Sequence, residues 1–118
     1  MERLRDLDEL KQRLRAFVAE RDWEQFHSPK NLAMALSVEV AELVEQFQWL
    51  TEQQSAALDA DRLRRVEDEL ADVLVYLVRI ADRLDIDLLA AAARKLELNA
   101  AKYPADRVRG QARKYDEY

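Results

Sequence analysis

An all-α bundle is the predicted fold, on three observations. Glycine occurs once and proline twice in 118 residues, which leaves little material for turns between many strands. Apolar residues recur at three- and four-residue intervals along most of the chain. A charged fraction of 36% beside 49% hydrophobic residues is the balance expected of helices with one solvated face. The length suits one domain with a modest core.

Four helices can be placed in order. In the first, Leu4, Leu7, Leu10, Leu14, Phe17 and Val18 keep helical spacing up to about Asp22. A linker, Trp23 to His27, precedes Ser28-Pro29, an N-cap followed by proline at the first helical position. That second helix is expected to run to Leu50. The polar stretch from Thr51 to about Ala60 reads as a loop or a broken helix. The third helix spans about Asp61 to Leu84, with Leu63, Val66, Leu70, Val73, Leu77 and Ile80 as its core stripe. Asp85-Ile86-Asp87 turns into a fourth helix, which ends at Tyr103 because Pro104 follows. Residues 1–104 thus form the helical domain. Residues 105–118 are a C-terminal tail that holds the only glycine, Gly110, and is either flexible or ordered by a partner or ligand.

Composition narrows the function. A net charge of −5 argues against general affinity for nucleic acid, which needs basic patches. No cysteine is present, so disulfides and zinc–thiolate sites are excluded. No apolar run approaches the ~18 residues of a membrane span, and the charged start Met1-Glu2-Arg3-Leu4-Arg5-Asp6 is unlike a signal peptide. A soluble cytoplasmic protein is the expectation.

Two acidic motifs, Glu39-Val-Ala-Glu42 and Glu69-Leu-Ala-Asp72, carry most of the chemical information. Each sets two carboxylates three residues apart, on one face of a helix. Acidic pairs at this spacing are common on solvated faces. Here, however, Glu39 lies between two valines, and Asp72 lies within Leu70–Leu77, a segment too apolar for a purely solvated face. If the two faces meet, four like charges share a poorly solvated place and need a cation. Carboxylate oxygens without cysteine or clustered histidine suit a hard ion such as Mg2+.

Other residues fall on matching stripes. At 100° per residue Asn31, Glu39, Glu42, Gln46 and Trp49 share one broad face of the second helix; Glu69, Asp72 and Tyr76 share one of the third; Lys95, Asn99 and Lys102 share one of the fourth. These would offer carboxylates to a metal, cations to phosphate and aromatics to a base. Taken singly, each has an ordinary reading: tryptophans and tyrosine as core or interface, His27 as a loop residue, the lysines as a solvated face.

Together the residues resemble a known family. The two acidic motifs, Arg21-Asp22-Trp23-Glu24-Gln25-Phe26-His27, Pro29, Asn31-Leu32, the segment Glu39–Trp49, Asp72–Leu77 and Lys95…Asn99…Lys102-Tyr103-Pro104 are similar to the MazG-like superfamily of all-α nucleoside triphosphate pyrophosphohydrolases, in its dCTP-type branch. One departure from the larger MazG pattern is Val38-Glu39, where paired glutamates are frequent.

The resemblance implies hydrolysis of a nucleoside triphosphate, dCTP or a modified dCTP first, to monophosphate and diphosphate. It implies Mg2+, with Mn2+ as a substitute, held by Glu39, Glu42, Glu69 and Asp72. One of these carboxylates, Glu42 or Glu69 for example, would orient or deprotonate the attacking water. Lys95, Asn99, Lys102, Tyr103 and Arg109 would hold phosphate oxygens; Trp23, His27, Asn31, Trp49 and Tyr76 would form the base and sugar pocket. A homo-oligomer is implied, a tetramer before a dimer. The competing reading is a non-catalytic helical oligomerisation module with solvated acidic stripes. A di-iron carboxylate bundle is disfavoured, since the single histidine lies outside both motifs.

Overall fold

A computed structural model describes residues 3–112; the last part of the expected tail, from residue 113 on, lies outside the described residues. Every regular element among them is helical, in the order α1 (Leu7–Glu20), a 3-10 turn (Glu24–Phe26), α2 (Pro29–Glu45), α3 (Glu52–Ser55), α4 (Ala60–Arg83), α5 (Leu88–Lys102) and α6 (Ala105–Val108). Two compact units result, Met1–Asp85 and Ile86–Tyr118.

Local capping explains the boundaries, including those that depart from the periodicity. The first helix starts at Leu7 rather than Leu4 because Asp6 caps it, accepting from the Glu9 N–H at 2.8 Å. It ends at Glu20, and Asp22 just beyond takes a left-handed conformation, φ 52°. Ser28 accepts from the Asn31 N–H at 3.1 Å with Pro29 in the first turn, the arrangement expected for α2.

That helix stops at Glu45, five residues short of the expected Leu50. From Gln46 on, the chain tightens into turns with bonds three residues apart, such as Phe47 N–H to Val44 O and Leu50 N–H to Phe47 O, both 2.9 Å. A guanidinium N–H of Arg62 donates to the Gln46 carbonyl and holds this exit. Thr51 and Gln54 then form a reciprocal capping box, so the stretch read as loop or broken helix contains the single turn α3. Asp59 caps α4 through the Arg62 N–H, and Asp87 caps α5 through the Ala90 N–H. The start of the tail, 105–108, is one helical turn.

Within the first unit, α4 packs against α2 and α1. The fully buried apolar side chains are Val18 of α1, Leu32 of α2, and Val66, Val78 and Ala81 of α4. Leu32, 1% exposed, is the most enclosed; burying such a side chain contributes about 1.5–3 kcal/mol. The stripe expected as the core of the third helix is only partly so: Val66 is buried and Val73 and Ile80 half-buried, while Leu63, Leu70 and Leu77 are exposed. Of the apolar residues expected on the first helix, Leu4, which precedes α1, and Phe17 likewise remain exposed. Periodicity marked an apolar face correctly, but part of that face finds no cover within one chain.

One polar network is embedded in the α1–α4 contact. Arg15 of α1 donates to Asp82 of α4, Nε to Oδ2 at 2.8 Å, and Arg79 Nη1 reaches the same Oδ2 at 3.3 Å. Asp82 and Arg79 are both buried to better than nine-tenths of their side chains.

Candidate functional site

The packing of α2 on α4 brings the two acidic motifs together. Glu39, Glu69 and Asp72 each place a carboxylate oxygen within 4.8 Å of the other two. Glu39 and Glu69 are half-buried and Asp72 exposed, so the cluster lies at the mouth of the helix interface. Glu42, one turn after Glu39, sets its carboxyl beside both glutamates.

The electrostatics register this crowding. Burial, then the neighbouring carboxyls of Glu42 and Asp72, push the Glu39 carboxyl up from 4.5 to about 7. Glu69 is raised by burial and by Glu42. The hydroxyl of Tyr76, one turn past Asp72, is raised by burial and by the charges of Glu39 and Asp72, which sets it against the same cluster. Oε2 of Glu39 and Oε2 of Glu69 are buried with no hydrogen-bond partner. Buried anionic oxygens without donors are costly. An all-oxygen set with two such atoms fits a hard divalent cation.

The remaining residues singled out in the sequence divide between the two units. In the first, Asn31 donates its side-chain N–H to the Phe26 carbonyl at 3.1 Å, pinning the linker to α2. His27 is half-buried, and its Nδ1 is buried and unpartnered; burial, then the charges of Arg79 and Arg83, lower its pKa. The Trp23 ring stands 6.4 Å from the His27 ring and 5.9 Å, edge on, from Phe17. Trp49 and Gln46 lie beyond the end of α2, so the expected helical stripe stops at Glu42; Trp49 is 86% exposed. In the second unit, Lys95, Asn99 and Lys102 all fall within α5, Tyr103 is its C-cap, and Arg109 follows α6. Arg79 escaped the reading from sequence. It lies seven residues past Asp72 on α4, and a lone arginine there carries no sign in the sequence of its burial.

A profile of the MazG-like family matches residues 34–118, which include both acidic motifs. The chain belongs to the MazG-like family. It is 43% identical to human dCTP pyrophosphatase 1 over 94% of its own length, and 44% identical to the mouse protein over 92%. It spans 66% and 65% of the length of those two relatives. The crystal structure of a pyrophosphatase from Archaeoglobus fulgidus superposes with a TM-score of 0.80 at 41% identity, covering 88% of this chain and 97% of that one. No helix among the described residues is long and apolar enough to cross a membrane.

Proposed function

We propose that this MazG-like chain is a divalent-metal-dependent nucleoside triphosphate pyrophosphohydrolase, taking dCTP or a modified dCTP with water to the monophosphate and diphosphate. The observation that carries this reading is the convergence of Glu39, Glu69 and Asp72 with two buried, unpartnered oxygens. The names of its relatives support the nucleotide and the bond cleaved.

Glu39, Glu69 and Asp72 hold Mg2+, or Mn2+ in its place, with Glu42 beside them. A cation held there would offset the negative charge of the phosphate oxygens and the charge that develops as the α–β anhydride is cleaved. Of the four carboxylates, Glu42 or Glu69 orients the attacking water and takes its proton. The Lys95–Asn99–Lys102 face of α5, with Tyr103 and Arg109, binds phosphate oxygens. Trp23, His27 and Tyr76 form the base wall, with Asn31 as its strut and Trp49 as an aromatic exposed for stacking; stacking contributes about 1–3 kcal/mol per base. The exposed apolar faces of α2 and α4 support a homo-oligomer, a tetramer before a dimer.

The deciding experiment is release of diphosphate from canonical and 5-modified dNTPs and NTPs, with Mg2+ and with EDTA. Metal-dependent conversion of dCTP or its analogues to monophosphate plus diphosphate is expected. Silence across the panel from folded protein, with no rise in melting temperature on adding Mg2+, would leave the oligomerisation module as the better reading.

A further inference from the structure

The helices α2 and α4 run antiparallel, and two contacts fix their register. At one level the carboxylates of Glu39 and Glu69 meet. At another, a guanidinium N–H of Arg62 donates to the Gln46 carbonyl at 2.5 Å, in a half-buried place. Gln46 lies seven residues after Glu39, and Arg62 seven residues before Glu69. Seven residues make two turns, about 10 Å along each axis, and return to nearly the same helix face. The tether therefore stands two turns from the carboxylates on both helices at once.

Core packing leaves that end of the pair thinly held. Beyond the carboxylates, away from the tether, Leu32 of α2 and Val78 and Ala81 of α4 are fully buried. On the tether's side, Val66 is the one fully buried apolar side chain of these two helices among the described residues. Leu63 and Leu70, its neighbours on α4, are exposed. Between the two ends the carboxylates of Glu39, Glu42, Glu69 and Asp72 repel one another, which pushes α2 away from α4. A guanidinium is suited to resist that push. It sets positive charge at the negative end of α2 and donates to a carbonyl at the helix exit, where the helix itself offers no partner. Partial burial keeps water from competing for the bond. An ordinary cap at a helix exit needs no particular register; this one ties together the two helices that each carry half of the carboxylate cluster.

We propose that Arg62 is a positioning residue for the metal site: its bond to the Gln46 carbonyl fixes the spacing and register of α2 and α4 at which Glu39 and Glu69 meet. The proposal rests on the metal-dependent reading of that cluster. Arg62 touches neither metal nor substrate in this role. It holds the carboxylates at a separation a small divalent cation can bridge, so that binding the ion does not first have to draw two helices together.

The test titrates Mn2+ into the nucleotide-free full chain, followed by electron paramagnetic resonance, and measures the Mg2+ dependence of diphosphate release from dCTP. Wild type, Arg62→Met and Arg62→Lys are compared, with Asp82→Ala as a variant weakened in the α1–α4 contact instead. Arg62→Met is expected to raise the Mn2+ Kd and the Mg2+ concentration for half-activation together, by about tenfold, the lower range for outer partners of metal ligands. Arg62→Lys keeps the charge without the planar fork and should fall between the two. Asp82→Ala should leave both values close to wild type. A Mn2+ Kd unchanged in folded Arg62→Met, or raised equally in Asp82→Ala, overturns the positioning role and leaves the metal site standing. Should Arg62→Met fail to fold, Arg62→Lys decides, and an unchanged Kd there overturns the proposal. Absence of Mn2+ binding by folded wild type removes the metal-dependent reading, and this proposal with it.

Discussion

Glu39→Gln is expected to make the metal-free protein more stable at pH 8. Burial, with Glu42 and Asp72 beside it, raises the Glu39 carboxyl from 4.5 to about 7 in the folded chain. A carboxyl raised on folding stabilises the fold fully only below pH 4.5, and that stability is lost as pH rises through about 7. Its full charge at pH 8 would cost roughly 3 kcal/mol across that gap. The side chain is only half-buried, and screening by solvent and salt reduces the figure to about 1–2 kcal/mol. Glutamine keeps the shape and removes the charge at every pH. For a chain of this length the gain corresponds to roughly 4–8 °C in melting temperature. Thermal melts in EDTA at pH 8 and pH 5, wild type against variant, read the effect directly: the gap should be open at pH 8 and shrink at pH 5. Saturating Mg2+ should reverse the order, because about 2.7 kcal/mol accrues to the wild type at ~100 times the dissociation constant. A variant no more stable than wild type in EDTA at pH 8, or a gap indifferent to pH, would refute the argument that these carboxylates repel one another in a poorly solvated place.

Asp72→Asn should lower diphosphate release at least a hundredfold at matched folded protein while the far-ultraviolet circular dichroism stays unchanged. Asp82→Ala leaves Arg79 buried without an anion and unties Arg15, so urea unfolding should show a loss of about 2–3 kcal/mol at pH 7. The hydrogen bond from Arg15 holds the Asp82 carboxyl below its usual 3.8. Its contribution is therefore present above that value and fades as pH falls through the lowered one, so the gap between variant and wild type should close in acid. Leu32→Ala, at the most enclosed apolar position, should cost about 3 kcal/mol in the same assay.

Local chemistry was the most legible part of the sequence. Ser28-Pro29 and Asp87 read as helix starts and are, because a cap depends on residues within one turn. The convergence of the two acidic motifs was legible for a related reason: carboxylates set in apolar helix faces have few places to go except against each other. The end of α2 was not legible. Its apolar spacing runs on past Glu45, and the Arg62 guanidinium that donates to the Gln46 carbonyl at the helix exit arrives from sixteen residues away. The Arg15–Asp82–Arg79 network was hidden for the same reason, since a charged residue on a helix gives no sign in sequence of the partner that will bury it. The apolar stripe of α4 misled differently: spacing identifies the face, and leaves open whether the same chain covers it.

That uncovered face bears on what a freshly folded single chain meets first. A newly made chain that keeps Met34, Val38, Val44, Leu63 and Leu70 in water is an adhesive particle until something covers them. Its fate is set by encounter rate. Where copies are plentiful, the first sticky surface met is another of its own kind; where they are scarce, it is a chaperone, a vessel wall or an aggregate.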